Sequence, residues 1–150
     1  MIAITTMITD NRTRSGGGGL STLSGRAVMV NTILARNGTG LGSDCRGTVT
    51  SLGTNLIGDP TGCTITLQPS DLTGDPGLAT FTDDGTPGNG HVPLLPTSQA
   101  IDAGNDALCP RVDQLGQRRI GRCAIGAIRF LDGINLQHTA DPATTGRTSQ

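Results

Sequence analysis

Short apolar runs, each closed by Gly, Asn or Asp, set the rhythm of this chain. Ala27-Val28-Met29-Val30 is one run, and Thr32-Ile33-Leu34-Ala35 follows it almost directly. Both are too short for helices of ordinary length and suit brief strands. The runs recur. Thr6-Met7-Ile8-Thr9-Asp10-Asn11 resembles Thr32-Ile33-Leu34-Ala35-Arg36-Asn37, 26 residues later. Asn31-Thr32-Ile33-Leu34 resembles Thr54-Asn55-Leu56-Ile57, 23 residues later. Repeats of that length point to solenoids, propellers or arrays. Asn11 and Asn37 close matching repeats, where Asn tolerates a left-handed backbone and can also stack on its counterpart in the next coil. Gly16 to Gly19 falls between apolar runs at repeat spacing, so it reads as a tight corner and not as a flexible linker.

From Asp59 onward turn signals crowd together: Asp59-Pro60-Thr61-Gly62, Asp75-Pro76-Gly77, Asp83-Asp84-Gly85 and Pro87-Gly88-Asn89-Gly90. Thr64-Ile65-Thr66-Leu67 alternates like a half-buried strand, and Ala124-Ile125-Gly126-Ala127-Ile128 reads as the last one. After Asp132 the chain turns polar and aperiodic. The pattern therefore predicts an all-β chain, a right-handed parallel β-helix. About two coils occupy residues 1–58. An irregular, disulfide-stabilised C-terminal cap, continuous with the coils, occupies 59–130 and covers the end of the apolar channel. A disordered polar tail is expected over 131–150.

Composition sharpens this. There is no Trp or Tyr, and Phe81 and Phe130 are the only aromatics. The core must be aliphatic, which suits a narrow interior. Every acid is Asp and every base is Arg, so the helix formers Glu and Lys are missing, while Gly contributes 23 residues and Pro 8. A net charge of −1 gives no general attraction to nucleic acid or anionic membrane. No apolar run reaches the roughly 18–20 residues of a membrane span. Residues 1–10 lack the basic start and apolar stretch of a signal peptide, so the chain either is not exported by that route or is a piece of a longer exported protein.

The four Cys suggest two disulfides and an oxidising compartment. Three pairings exist, and sequence alone does not choose among them. Pairing neighbours gives Cys45–Cys63 and Cys109–Cys123, each contributing about 3 kcal/mol in the chain-entropy model. Four free thiols are the bland alternative. No pair has the spacing of a structural zinc site.

Ile8-Thr9-Asp10-Asn11, Gly18-Gly19-Leu20 and Leu34-Ala35-Arg36-Asn37 resemble the repeat of polymorphic outer-membrane-protein β-helices, with Ile and Leu where Phe is usual. A longer series follows: Asp44-Cys45-Arg46-Gly47, Ser51-Leu52-Gly53-Thr54-Asn55-Leu56-Ile57-Gly58-Asp59, Asp75-Pro76-Gly77-Leu78, Ala100-Ile101-Asp102-Ala103-Gly104, Cys109-Pro110, Asp113-Gln114-Leu115-Gly116 and Arg122-Cys123-Ala124-Ile125-Gly126-Ala127. In order and spacing it resembles the choice-of-anchor Q domain, a C-terminal module of bacterial β-helix proteins, across about residues 4 to 130. Departures are Gln99 where that family has Pro, and Ala124 and Ile128 where it has an acid and an aromatic. The resemblance implies an extracellular, cell-surface or outer-membrane protein.

Catalytic chemistry has little footing. Asp83 and Asp84 are adjacent, so on a strand they would face opposite ways. Paired carboxylates of a hydrolase are not evident. Asp75, Asp83 and Asp84 in a carbonyl-rich loop make a weak calcium candidate, without an Asp-x-Asp-x-Asp-Gly run. His91 and His138 have no nucleophile elbow beside them, and Gly16–Gly19 lacks the Lys of a phosphate loop. Arg118, Arg119 and Arg122 form a small basic cluster that reads as a solvated face or, less simply, a grip for acidic sugars. The expected function is a non-catalytic scaffold or adhesin segment. Its expected partners are preceding β-helix coils and host or environmental glycans. The alternatives are a piece of a β-helix polysaccharide lyase or glycoside hydrolase with its site elsewhere, and a trimeric tail fibre.

Overall fold

A computed structural model describes residues 1–14, 16–38 and 44–130. Its strands, in chain order, are β1 (Ile2–Ile4), β2 (Met7–Thr9), β3 (Leu20–Ser21), β4 (Ala27–Val30), β5 (Ile33–Ala35), β6 (Cys45–Ser51), β7 (Leu56–Ile57), β8 (Cys63–Thr64) and β9 (Leu72–Thr73). A single 3-10 turn, Asp106–Leu108, is the only helical element among the described residues. The protein is all-β, and every pairing between these strands is parallel. One sheet runs β1-β4-β6-β3, with β8 added on β6. The other runs β2-β5-β7-β9. The chain thus passes back and forth between two sheets, each pass laying its strands beside those of the last.

Register explains why consecutive apolar residues are tolerated. Met7, Ile33, Leu56 and Leu72 align across the second sheet, and Ile8, Leu34 and Ile57 align one position on. Successive strand side chains point to opposite faces. Leu34 and Ile57 therefore face the first sheet, packing with Ala3, Ala27, Met29 and Val49. Ile33 and Leu56 face the other way, onto Leu78, Val92, Leu94, Ala100 and Ile125. Burying each of these large aliphatic side chains contributes about 1.5–3 kcal/mol.

β6 bends through both halves of its sheet. Its start pairs with β3, its end pairs with β4, and Gly47 between them has φ 90°. A Cβ at Gly47 would collide with the Thr22 carbonyl. The sheet curls at this point.

Several expectations change. The C-terminal segment does not close the end of a channel. It lies as a second layer along the outer face of the second sheet, from Met7 on β2 to Leu72 on β9, all packed on one cluster. The parallel ladder runs past residue 58 to Thr73, and the second sheet has four strands where about two coils were expected. Ala124–Ile128 is not a strand. Gly126 sits at φ 101°, a Cβ there would press on Ile33, and Ile125 bonds back to Ala100. Its apolar character reflects packing over Ile33 and not strand pairing. Gly16 and Gly17, at φ 83° and 68°, do turn a corner. The expected disordered tail over 131–150 and His138 lie outside the described residues. Among the described residues, no helix is long and apolar enough to cross a membrane.

Candidate functional site

Two polar ladders, one at each end of the strands of the second sheet, fix one pass on the next. In the first, Asn11 N–H donates to Asn37 Oδ1 at 3.1 Å, and Asn11 Nδ2 donates to the same oxygen at 3.0 Å. Asn37 is 1% exposed. Its own N–H donates to Asp44 Oδ1 at 2.7 Å, while Asn37 Nδ2 reaches Ile8 O, Ala35 O and Asp44 Oδ1. The second oxygen of Asp44 takes the N–H of Asp59 at 2.7 Å. The stacking expected of Asn11 and Asn37 is therefore present. The left-handed backbone expected of them is not. It falls one residue earlier, on Asp10 and Arg36, at φ 59° and 60°.

A second ladder stands at the other corner. Asn55 Oδ1 accepts from Thr32 N–H at 3.0 Å, and Asn55 N–H donates to Asp71 Oδ1 at 2.9 Å. The other oxygen of Asp71 accepts from the Ser51 hydroxyl at 2.6 Å and Gln68 N–H at 2.7 Å. Here too the residue before the ladder is left-handed: Thr5, Asn31 and Thr54 have φ 49°, 50° and 53°. The first ladder thus begins with a carboxamide and the second with the Thr32 N–H, each passes through a buried Asn, and each ends on a carboxylate. The amide both accepts and donates, so it passes the pattern on. A carboxylate only accepts, so it stops it.

Two clamps fasten the second layer. Asn31 Oδ1 accepts from Asn105 N–H at 2.7 Å, and Asn31 Nδ2 donates to Asn105 O at 3.0 Å. The Arg36 guanidinium pairs with both oxygens of Asp10 and also donates to Leu78 O and Ala79 O. The disulfides are Cys45–Cys63 and Cys109–Cys123, with Cα separations of 5.4 and 6.2 Å. They are the neighbour pairs anticipated from the sequence. The first ties β6 to β8, and the second closes a loop inside the outer layer.

The calcium candidates Asp75, Asp83 and Asp84 are exposed, and each closes its own turn. Their oxygens accept from the N–H groups of Gly77, Gly85 and Thr86 respectively. They do not gather into a metal-holding group: among the described residues, no three His, Cys, Asp or Glu side chains do. The N–H of Thr86 and the side chain of Asn89 hold the Asp84 carboxyl below its usual range. His91 Nδ1 lies 2.6 Å from Asn89 O, so in the neutral ring the proton sits on Nδ1. In the basic cluster, Arg119 is drawn inward, and its Nη2 donates to Gly126 O at 2.9 Å. Burial lowers its pKa, against the pull of Asp113. Arg118 and Arg122 stay exposed.

The first pass leaves one side of both sheets unpaired. β1 and β2 are edge strands of their sheets, with Ile2 72% and Ile4 53% exposed. Thr5 Oγ1 and Thr9 Oγ1, also in this pass, are out of solvent without a hydrogen-bond partner. Beside β2 runs a groove of about 350 Å³, with Met7, Ile8 and Asn11 on the strand side and Phe81, Val92 and Ile128 among the opposite wall. The wall is knit by Gln114, which donates to Gly90 O at 2.8 Å and through its N–H to Ala127 O. No family model, no curated protein and no solved structure matches the chain. The open edge and its ladders are therefore the features on which a functional reading rests.

Sequence reasoning missed Asp44, Asp71 and Asn55 as elements of these ladders and Asn31 as the clamp to Asn105. Asn55 had a signal, since the repeat aligns it with Thr32. The two ladder-ending carboxylates look like any turn Asp.

Proposed function

We propose that this chain is the C-terminal part of a right-handed parallel β-helix, related to the choice-of-anchor Q modules. It serves outside the cell or on its surface as a non-catalytic scaffold or adhesin segment. One observation carries the reading: an Asn11–Asn37 stack ended by Asp44 and a Thr32–Asn55 contact ended by Asp71 give the passes a direction, open at β1 and β2 and finished toward β9. A stack built this way has a natural continuation on one side only. Further coils of a longer chain are the natural partner there, and environmental glycans are the natural ligand of the finished structure. Two disulfides suit an oxidising compartment. The carboxylates also support a structural role. Asp44 and Asp71 place both oxygens on backbone N–H and side-chain donors, and Asp113 does so on the N–H groups of Leu115, Gln117 and Arg129.

The test is an activity screen on neutral and acidic polysaccharides, run beside glycan-array binding on the same preparation. Binding without release of reducing ends or unsaturated uronates is the expected result. Turnover by the purified chain would sink the non-catalytic reading. An experimental structure with left-handed passes would sink the fold assignment.

A further inference from the structure

The groove beside β2 is built like the space between two passes that already touch. Parallel strands alternate which side of the backbone bonds which neighbour. Ile33 N–H donates to Thr6 O on one side of β5, and Leu56 N–H and Gly58 N–H donate to Thr32 O and Leu34 O on the other. The same alternation places the N–H and C=O of Met7 and Thr9 on the side of β2 away from β5. Met7 begins the outer apolar row and Ile8 begins the inner one. Phe81, Val92 and Ile128 stand opposite Met7 across the groove, so the second layer lines the next position in the outer row with apolar surface. Phe81 is 62% exposed, although it is one of only two aromatic residues in the chain. At the corner, Asn37 bonds both within its pass, to Ala35 O, and to the pass before, through Ile8 O. Asn11 repeats the first of these bonds, to Thr9 O.

We propose that this groove is a strand-docking site. Its ligand is an extended polypeptide segment lying parallel to β2 with two consecutive apolar residues followed, three positions after the second, by Asn. That is the pattern of Ile33-Leu34-Ala35-Arg36-Asn37, so the segment is one that carries this chain's own repeat chemistry. The first apolar side chain continues the row of Met7 under Phe81 and Val92. The second continues the row of Ile8. The Asn donates its N–H to Asn11 Oδ1, as Asn11 donates to Asn37. The inference rests on the stacked-pass reading above, and it adds the register, the direction and the side-chain pattern of the incoming strand.

The probe is a capped, fluorescently labelled peptide of residues 32–38, added to the intact chain. Saturable binding is expected, followed by anisotropy. The docked strand should slow amide hydrogen exchange at Met7 and Thr9. Phe81→Ser, at an exposed position, should weaken binding about tenfold while leaving the melting temperature in place, and Asn11→Ala should weaken binding about tenfold with a modest fall in melting temperature from its lost bonds to Asn37 and Thr9. A peptide carrying Ile33→Asp should not bind. Lack of saturable binding, or binding that leaves the Met7 and Thr9 amides unprotected, overturns the proposal. So does a groove that takes oligosaccharide and not peptide. None of these results touches the non-catalytic reading, which falls to turnover alone.

Discussion

Replacing Asp71 tests the idea that a carboxylate ends each ladder because it only accepts. Its four donors are Asn55 N–H at 2.9 Å, Asn55 Nδ2 at 3.2 Å, Ser51 Oγ at 2.6 Å and Gln68 N–H at 2.7 Å. In Asp71→Ala all four bonds go. Gln68 is exposed and turns to water. Asn55 is fully buried, so its backbone N–H is stranded, and the buried Ser51 hydroxyl loses the acceptor for its proton. A stranded buried donor costs about 1–3 kcal/mol, and the hydroxyl adds a similar or smaller amount. The expected loss is about 2–4 kcal/mol, a large share of the roughly 5–15 kcal/mol that holds a domain. Asp71→Asn separates acceptor count from charge. One of its two atoms must now donate. The least costly orientation turns the amide toward Ser51 and Gln68: Asn55 keeps its acceptor, while the bond from exposed Gln68 goes and the Ser51 hydroxyl, already accepting from Gly53 N–H and Asn55 Nδ2, loses the acceptor for its own proton. That variant should lose about 0.5–1.5 kcal/mol. Urea unfolding followed by far-UV circular dichroism, with an unchanged slope, reads both values. If Asn and Ala are equally damaging, charge and not acceptor geometry is at work. If Ala costs less than about 0.5 kcal/mol, within the range of ordinary surface substitutions, the ladder does not hold the passes together.

Four further outcomes are expected. Replacing Cys45 and Cys63 together by Ser should lower stability by about 3 kcal/mol, read by the same unfolding assay, because an 18-residue separation is no longer closed in the unfolded chain. Gly19→Ala should cost about 1–3 kcal/mol, since its Cβ would stand 2.6 Å from Asn37 Nδ2 and 2.7 Å from Leu34 Cδ1. Gly25→Ala, with open space around it and φ 91°, should cost only the roughly 1–2 kcal/mol of a left-handed L-residue. Arg36→Ala should speed amide exchange in the segment around Leu78 and Ala79 without loosening β6, because that guanidinium holds the outer layer through carbonyls.

What the sequence displayed was local or evenly spaced. Asn11 and Asn37 recur at the repeat length, so their stacking could be anticipated, and β4 and β5 lie where the apolar runs stand. The disulfides join the neighbours that a short-loop preference selects. What it hid depends on distant partners. Asp71 answers Asn55 across 16 residues, and nothing near either one announces it. β6 was missed because Gly47 breaks its pattern, although that glycine is what lets one strand serve two neighbours. Ala124–Ile128 misled in the opposite sense: small apolar residues around a left-handed glycine fill the surface over Ile33 and form no strand.

The largest correction, that the turn-rich segment is a second layer, has a physical explanation already visible in β2, β5 and β7. A sheet with one wet face alternates apolar and polar residues. A sheet covered on both faces shows consecutive apolar ones. β1 has one wet face, with Ala3 buried between exposed Ile2 and Ile4, although its exposed residues are apolar too. Met7-Ile8, Ile33-Leu34 and Leu56-Ile57 are of the second kind. Those doublets require something apolar outside the second sheet, and a plug at the channel's end could not supply it. Leu78, Val92, Leu94, Ala100 and Ile125 do supply it, from a segment without periodicity of its own. The outer row from Met7 to Leu72 would face water without that segment, and the segment would have no core without the row. The two halves of the chain therefore form one unit of stability, and the open edge at β2 belongs to both layers at once.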